Sequence, residues 1–127
     1  MPTIIDAYAW IEYFKGTSQG EVVKEHLDKE GAYTPINVLA DVYYFFKRIN
    51  RDFDFALKVI KSKSDIYDFN EDEWLQAVEI KHELRKKMKD FGIMDALVMA
   101  CAENLKGAVI TGDPHFKDED NVIFLGD

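Results

Sequence analysis

Short runs of β-branched and apolar residues alternate with helical stretches along the sequence, and this alternation restricts the fold more than any other feature. Thr3 to Asp6 reads as a strand, and Ala7 to Lys15 places Trp10 and Phe14 at helical spacing before Gly16 ends the turn. Ser18 followed by Glu21 has the form of a capping box for a second helix running to about Lys29, with Val23 and Leu27 inward. Ala32 to Thr34 is a strand cut by Pro35, followed by helices from about Ile36 to Asn50 and from Asp52 to Ser62. Asp65 to Tyr67 is a third strand, and Asn70 with Glu73 caps the helix that carries Trp74, Val78 and Leu84. The stretch from Ile93 to Leu105 is a helix whose small residues Ala96, Ala100 and Ala102 suit close packing on a sheet. Strands at Ala108 to Thr111 and Val122 to Leu125 complete the pattern.

Strands separated by helices imply a mostly parallel sheet covered on both faces, because parallel neighbours need crossover connections. The expected fold class is α/β, a three-layer α/β/α arrangement. No repeat or Pro/Gly-rich linker divides the 127 residues, so residues 1–127 are expected to form one domain. At 47% hydrophobic and 31% charged residues, the chain is too apolar for a disordered segment. It lacks a charged-then-apolar leader and any apolar run near the roughly 20 residues that span a bilayer, which points to a cytoplasmic protein away from membranes. The single cysteine, Cys101, lies in an apolar helix and reads as a core residue, which excludes an internal disulfide and a multi-thiolate zinc site.

In a sheet of this kind, ligands collect outside the carboxyl ends of the strands. Asp6 closes the first strand, where the chain should still be entering the core, and Asp113 follows Ala-Val-Ile-Thr by one glycine. Both should stand on one rim. Asp41 lies in Val38-Leu-Ala-Asp-Val-Tyr-Tyr-Phe-Phe46, a helix so apolar that its carboxylate is expected to be at least partly buried. Its neighbours one turn away, Asn37 and Phe45, offer no cation. Asp95 occupies the first turn of its helix, where the backbone dipole favours a negative charge. Each acid also has an ordinary structural role open to it: Asp6 as a helix cap, Asp95 as a partner of its helix dipole, and Gly112-Asp-Pro114 as a turn. Together they form a more specific pattern than any one member.

The runs Ile-Ile-Asp-Ala-Tyr-Ala-Trp-Ile, Thr-Pro-Ile-Asn-Val-Leu-Ala-Asp, Met-Asp-Ala-Leu-Val-Met-Ala-Cys-Ala and Val-Ile-Thr-Gly-Asp-Pro-His-Phe resemble the PIN domain, in particular the VapC toxins of toxin–antitoxin pairs, in order and across essentially the whole chain. Two positions depart from the family pattern: Asp41 stands where glutamate is usual, and Ala7 where serine or threonine is common. The resemblance implies a metal-dependent ribonuclease in which Asp6, Asp41, Asp95 and Asp113 form a catalytic, metal-binding quartet. It also implies an RNA substrate, an antitoxin partner and a homodimer. An all-oxygen ligand set independently suits Mg²⁺ or Mn²⁺ rather than zinc.

The net charge of −8 opposes general attraction to nucleic acid, and bound divalent ions answer that objection by placing positive charge at the one rim that phosphate must approach. The basic clusters Lys47/Arg48/Arg51, Lys58/Lys61/Lys63 and Arg85/Lys86/Lys87/Lys89 read first as solvated helix ends. Thr111 and His115 are secondary candidates for substrate binding, whereas His26, His82 and the run Asp118-Glu-Asp120 read as solvated surface. A phosphate-handling α/β domain would explain a strand-end acid, but a haloacid-dehalogenase-like phosphatase needs Asp-x-Asp where this chain has Asp6-Ala-Tyr8. A receiver needs adjacent acids there and a lysine after its last strand. A PIN-domain nuclease of RNA processing and a non-catalytic interaction module with the same fold both stay open. The helix from Ile36 to Ile49 is apolar or aromatic in nearly every direction, and Phe53 and Phe55 follow it, so Tyr44 and Phe55 are expected to anchor a homodimer or antitoxin interface.

Overall fold

The computed structural model describes residues 1–29 and 31–126. In chain order the elements are β1 (Thr3–Ile5), α1 (Ala7–Lys15), α2 (Ser18–Leu27), β2 (Ala32–Pro35), α3 (Ile36–Arg48) and α4 (Asp54–Lys63). They continue with β3 (Asp65–Tyr67), α5 (Glu71–Leu84), α6 (Ile93–Leu105), β4 (Ala108–Thr111), a 3-10 turn (Pro114–Phe116) and β5 (Val122–Phe124). The strands form one parallel sheet in the order β3-β2-β1-β4-β5, the central layer of a three-layer α/β/α fold.

That order matters for function. The chain builds outward from β1 to β2 and β3, then returns to the other side of β1 for β4 and β5. The carboxyl ends of β1 and β4 therefore flank the topological switch point, where α/β sheets leave a crevice. Ile4 pairs with Val109 and Ile5 with Ile110, so Asp6 and the turn after Thr111 leave the sheet side by side.

The core explains why these residues make these elements. Ile4, Ile5, Val109 and Ile110 are fully buried on the central strands, as expected for a sheet covered on both faces. Seven consecutive residues of α6, Ala96 to Ala102, are buried, and the alanines among them allow the helix to lie close to the sheet. Cys101 is one of the seven, and burial pushes its thiol up to about 12, which fits a packing role. Among the described residues no helix is long and apolar enough to cross a membrane.

One buried polar chain crosses the core. The Trp10 indole N–H donates to Thr34 Oγ1 at 3.0 Å, Thr34 lies 2.6 Å from Ser64 Oγ, and Ser64 donates to the Ile60 carbonyl at 2.8 Å. Because the Ser64 proton is committed to Ile60, the Thr34 hydroxyl must donate to Ser64, and every member is satisfied.

Several boundaries differ from the sequence reading. The cap of α2 is Thr17, whose Oγ1 accepts from Gly20 N at 3.1 Å, so Ser18 lies inside the helix. Thr17 is held there because its hydroxyl also reaches Glu12 Oε1 at 2.9 Å, joining the start of α2 to α1. Gly20 makes that approach possible: a Cβ would stand 2.3 Å from the Glu12 carbonyl oxygen. Pro35 belongs to β2 and pairs with Tyr67; as the last residue of its strand it does not interrupt the ladder. Asp52 lies before α4 and accepts from Asp54 N at 3.0 Å. The apolar excess of α3 is partly absorbed. Val38 and Val42 are buried, and Phe46 packs on Phe14 and Phe53, while Tyr44 and Phe55 stay 65% and 73% exposed.

Candidate active site

Asp6, Asp41, Asp95 and Asp113 line one pocket of about 70 Å³ at the switch point, together with Tyr8, Asn37 and Met94. A larger hollow of about 360 Å³ lies against α5 and α6, floored by Ile80, Leu84 and Met99. The smaller cavity is the chemically distinctive one, because four separate elements send an acid into it.

Asp6 is 5% exposed and caps α1, accepting from Ala9 N at 2.9 Å. Its helix-cap role and its place in the pocket coexist, since one carboxylate oxygen suffices for the cap. Burial raises its pKa to about 7, against hydrogen bonds from Thr111 and Ala9 N–H that lower it, with Asp113 and Asp95 raising it further. Asp95 occupies the first turn of α6 and accepts from Gly92 N at 3.3 Å. Burial first, and then Asp113 and Asp41, push its carboxyl above the ordinary value. The groups acting on Asp6, Asp95 and Asp41 are burial, hydrogen-bond donors, other carboxylates and His115, with no lysine or arginine among them.

Asp41 is exposed as a whole residue, yet its carboxyl is partly desolvated, as the sequence leads one to expect. The buried row of α3 runs through Val38 and Val42, and Asp41 is turned away from it at the pocket rim. Desolvation nevertheless raises its pKa, because the carboxyl faces the pocket wall rather than open water.

Asp113 ends the turn after β4 and caps the 3-10 segment, its Oδ1 accepting from His115 N at 2.9 Å. His115 Nδ1 lies 2.7 Å from the same oxygen, and Nε2 lies 3.0 Å from Asp90 Oδ2. Asp90, followed by Asp113, raises the His115 pKa against partial burial, so the ring favours its charged form. The fully buried Thr111 hydroxyl accepts from Asp113 N at 3.0 Å and bonds to Asp6. The structure thus brings both secondary candidates against acids of the quartet, Thr111 between Asp6 and Asp113 and His115 behind Asp113.

Sequence reasoning passed over two pocket residues. Asn37 Nδ2 donates to the Met94 carbonyl at 3.2 Å, joining the starts of α3 and α6, while its Oδ1 is buried without a hydrogen-bond partner. Its position one turn before Asp41 was the available signal. The Tyr8 ring lies close to Gly112, where a Cβ would stand 2.2 Å from it, and its hydroxyl donates to Gln19 at 2.8 Å. Only glycine allows the turn after β4 to approach α1 this closely.

Fold and site together define an α/β protein with an acidic pocket at its topological switch point. The chain belongs to the PIN domain family, which matches residues 3–121. Among solved structures it is similar to a toxin–antitoxin complex from Klebsiella pneumoniae, at 16% identity and a TM-score of 0.78 over 98% of each chain. It is also similar to VapBC2 from Rickettsia felis bound to a DNA fragment from their promoter, at 21% identity and a TM-score of 0.72, covering 98% of this chain and 97% of that one. A third similarity is to VapC20 from Mycobacterium tuberculosis, a sarcin-ricin loop cleaving toxin, at 16% identity and a TM-score of 0.74, covering 94% of this chain and 96% of that one. At these identities the likeness concerns the fold. Comparison with curated proteins finds no match.

Proposed function

We propose that this protein is a Mg²⁺- or Mn²⁺-dependent endoribonuclease that acts in the cytoplasm as the toxin of a VapBC-type toxin–antitoxin pair. The observation that carries the reading is the convergence of Asp6, Asp41, Asp95 and Asp113 on one pocket with no lysine or arginine among the groups acting on the first three. Carboxylates that repel one another at a desolvated rim are retained at a cost in stability, and a divalent ion relieves that cost.

The donor set fits such an ion. All four acids offer hard oxygen ligands, and the unpartnered Asn37 Oδ1 is a further oxygen on the same wall. Among the described residues no three His, Cys, Asp or Glu side chains already meet around one point. Asp6, Asp41, Asp95 and Asp113 would hold the ion, and when bound it supplies Lewis acidity and an activated water for phosphodiester hydrolysis. The chain itself supplies orientation. The Ala9 N–H and the Thr111 hydroxyl fix Asp6, Thr111 and His115 fix Asp113, and the Gly92 N–H fixes Asp95.

Thr111 is a positioning residue in this scheme. Thr111→Val is expected to lower metal-dependent cleavage by about 10- to 100-fold with little change in shape, the usual range for partners that orient metal ligands. Cleavage rates over a range of Mn²⁺ concentrations check this, and unchanged metal dependence would remove Thr111 from the site.

The exposed Phe55 on α4 and the exposed Trp74, Leu75 and Val78 on α5 support contact with protein partners, an antitoxin and a second copy of the chain. The Klebsiella structure is itself a toxin–antitoxin complex, and the Rickettsia structure is VapBC2 bound to a DNA fragment from their promoter. The test is incubation of purified protein with structured and unstructured RNAs in Mg²⁺, in Mn²⁺ and in EDTA. Cleavage with either ion and none in EDTA supports the reading. Ion binding without cleavage of any RNA would favour a non-catalytic module.

A further inference from the structure

The outward face of α3 carries more than its two pocket residues. Asn37, Asp41, Tyr44 and Arg48 follow one another at intervals of four, three and four residues, the spacing that aligns side chains along one side of a helix. Asn37 and Asp41 line the acidic pocket, and Tyr44, one turn further, is 65% exposed. The Arg48 guanidinium carbon lies 5.8 Å from the Tyr44 ring centroid, and Arg48 enters no ion pair among the described residues. Beside it, Lys47 lies 5.7 Å from the Tyr43 ring. A pocket for phosphate chemistry thus runs into an aromatic platform and then an unneutralised guanidinium, about 10 Å from Asp41 along the helix axis.

We infer that this stripe is the track that leads single-stranded RNA to the acidic pocket, with Tyr44 stacking a base and Arg48 taking a backbone phosphate upstream or downstream of the scissile one. Aromatic faces and guanidinium planes are the groups on which unpaired bases stack, and an arginine fork suits a phosphate. The sequence alone points Tyr44 towards a protein interface. Two observations favour RNA: the stripe holds no aliphatic side chain, and it is continuous with the acids. On a chain of net charge −8, placement of single cations beside the pocket matters more than overall attraction. The inference rests on the nuclease reading.

The test measures binding of a fluorescent single-stranded RNA by anisotropy in the Asp95→Asn background, so that the probe stays whole, and cleavage in the otherwise unaltered protein. Tyr44→Ala is expected to weaken binding roughly 5- to 100-fold, with Tyr44→Phe close to the parent. Arg48→Ala is expected to weaken binding and to flatten the slope of log affinity against log salt by about 0.7, the share of one phosphate, with Arg48→Lys restoring the slope. Lys63→Ala, at the end of α4, should leave both unchanged. In cleavage, KM should rise for the Tyr44 and Arg48 variants while kcat stays within a few-fold. Unchanged affinity and slope in both variants, while the protein cleaves RNA, would overturn the track and leave the nuclease reading standing. Altered sedimentation with unchanged RNA binding would likewise overturn it and give the face to a protein partner. Loss of RNA binding in the variants of a protein that cleaves nothing would uphold the track and overturn the nuclease.

Discussion

Replacing Asp113 or Asp95 by asparagine is expected to lower Mg²⁺- or Mn²⁺-dependent RNA cleavage by at least about a hundredfold, the range seen when a preorganised electrostatic group is removed from a reacting centre. The substitutions test charge rather than shape. Asp113 Oδ1 caps the 3-10 segment through His115 N, and an asparagine oxygen can accept the same bond. Asp95 Oδ2 accepts from Gly92 N, which the amide oxygen can also do. The folded structure should therefore survive, as circular dichroism and thermal melting can verify. Activity near that of the parent in both variants would place the chemistry elsewhere in the protein.

The second large effect is on stability in the absence of metal. Asp6 has a folded pKa of about 7 against an ordinary value of 3.8. Between those values the folded protein holds a proton that the unfolded chain has released. This contribution to stability, on the order of 4 kcal/mol, is thus fully present below about pH 4 and is lost as the pH rises through 7. The raised pKa values of Asp41, Asp95 and His115 act in the same direction. Asp6→Asn removes the largest contribution and keeps the α1 cap, because asparagine caps as well as aspartate. The metal-free variant should be more stable than the parent at pH 8 and equal to it or weaker near pH 4. Mn²⁺ should raise the melting temperature of the parent far more than that of the variant, since the ion binds the ionised carboxylate. Parallel stability-against-pH curves, or equal shifts with Mn²⁺, would contradict the burial of an unneutralised carboxylate at this position. Denaturant unfolding across this pH range provides the measurement.

The sequence carries most of the fold because its periodicities are unambiguous. The β-branched runs at Ile4-Ile5 and Val109-Ile110 become the buried central strands, and Asn70 with Glu73 forms the capping box of α5. The acidic rim was legible for a topological reason. A carboxylate at the end of a strand in a parallel sheet can be assigned to the ligand-bearing edge before strand order is known.

What escaped depends on distant partners. Thr17 displaces Ser18 as a cap because of a contact to Glu12 on the preceding helix. The Trp10–Thr34–Ser64 chain joins α1, β2 and the residue that ends α4. Asn37 acquires its place only because the starts of α3 and α6 face each other. The apolar run of α3 does not tell which side the core takes: α3 buries the side of Val38 and Val42 and leaves another to the pocket rim and to Tyr44.

If the acids of the switch point hold a divalent ion, anomalous scattering from crystals soaked in Mn²⁺ will locate it there. The expected result is a manganese peak inside the pocket, bonded to at least one of Asp6, Asp41, Asp95 and Asp113 and absent from the Asp95→Asn protein. A peak elsewhere, or an empty pocket in protein that cleaves RNA under the same Mn²⁺ concentration, would contradict it.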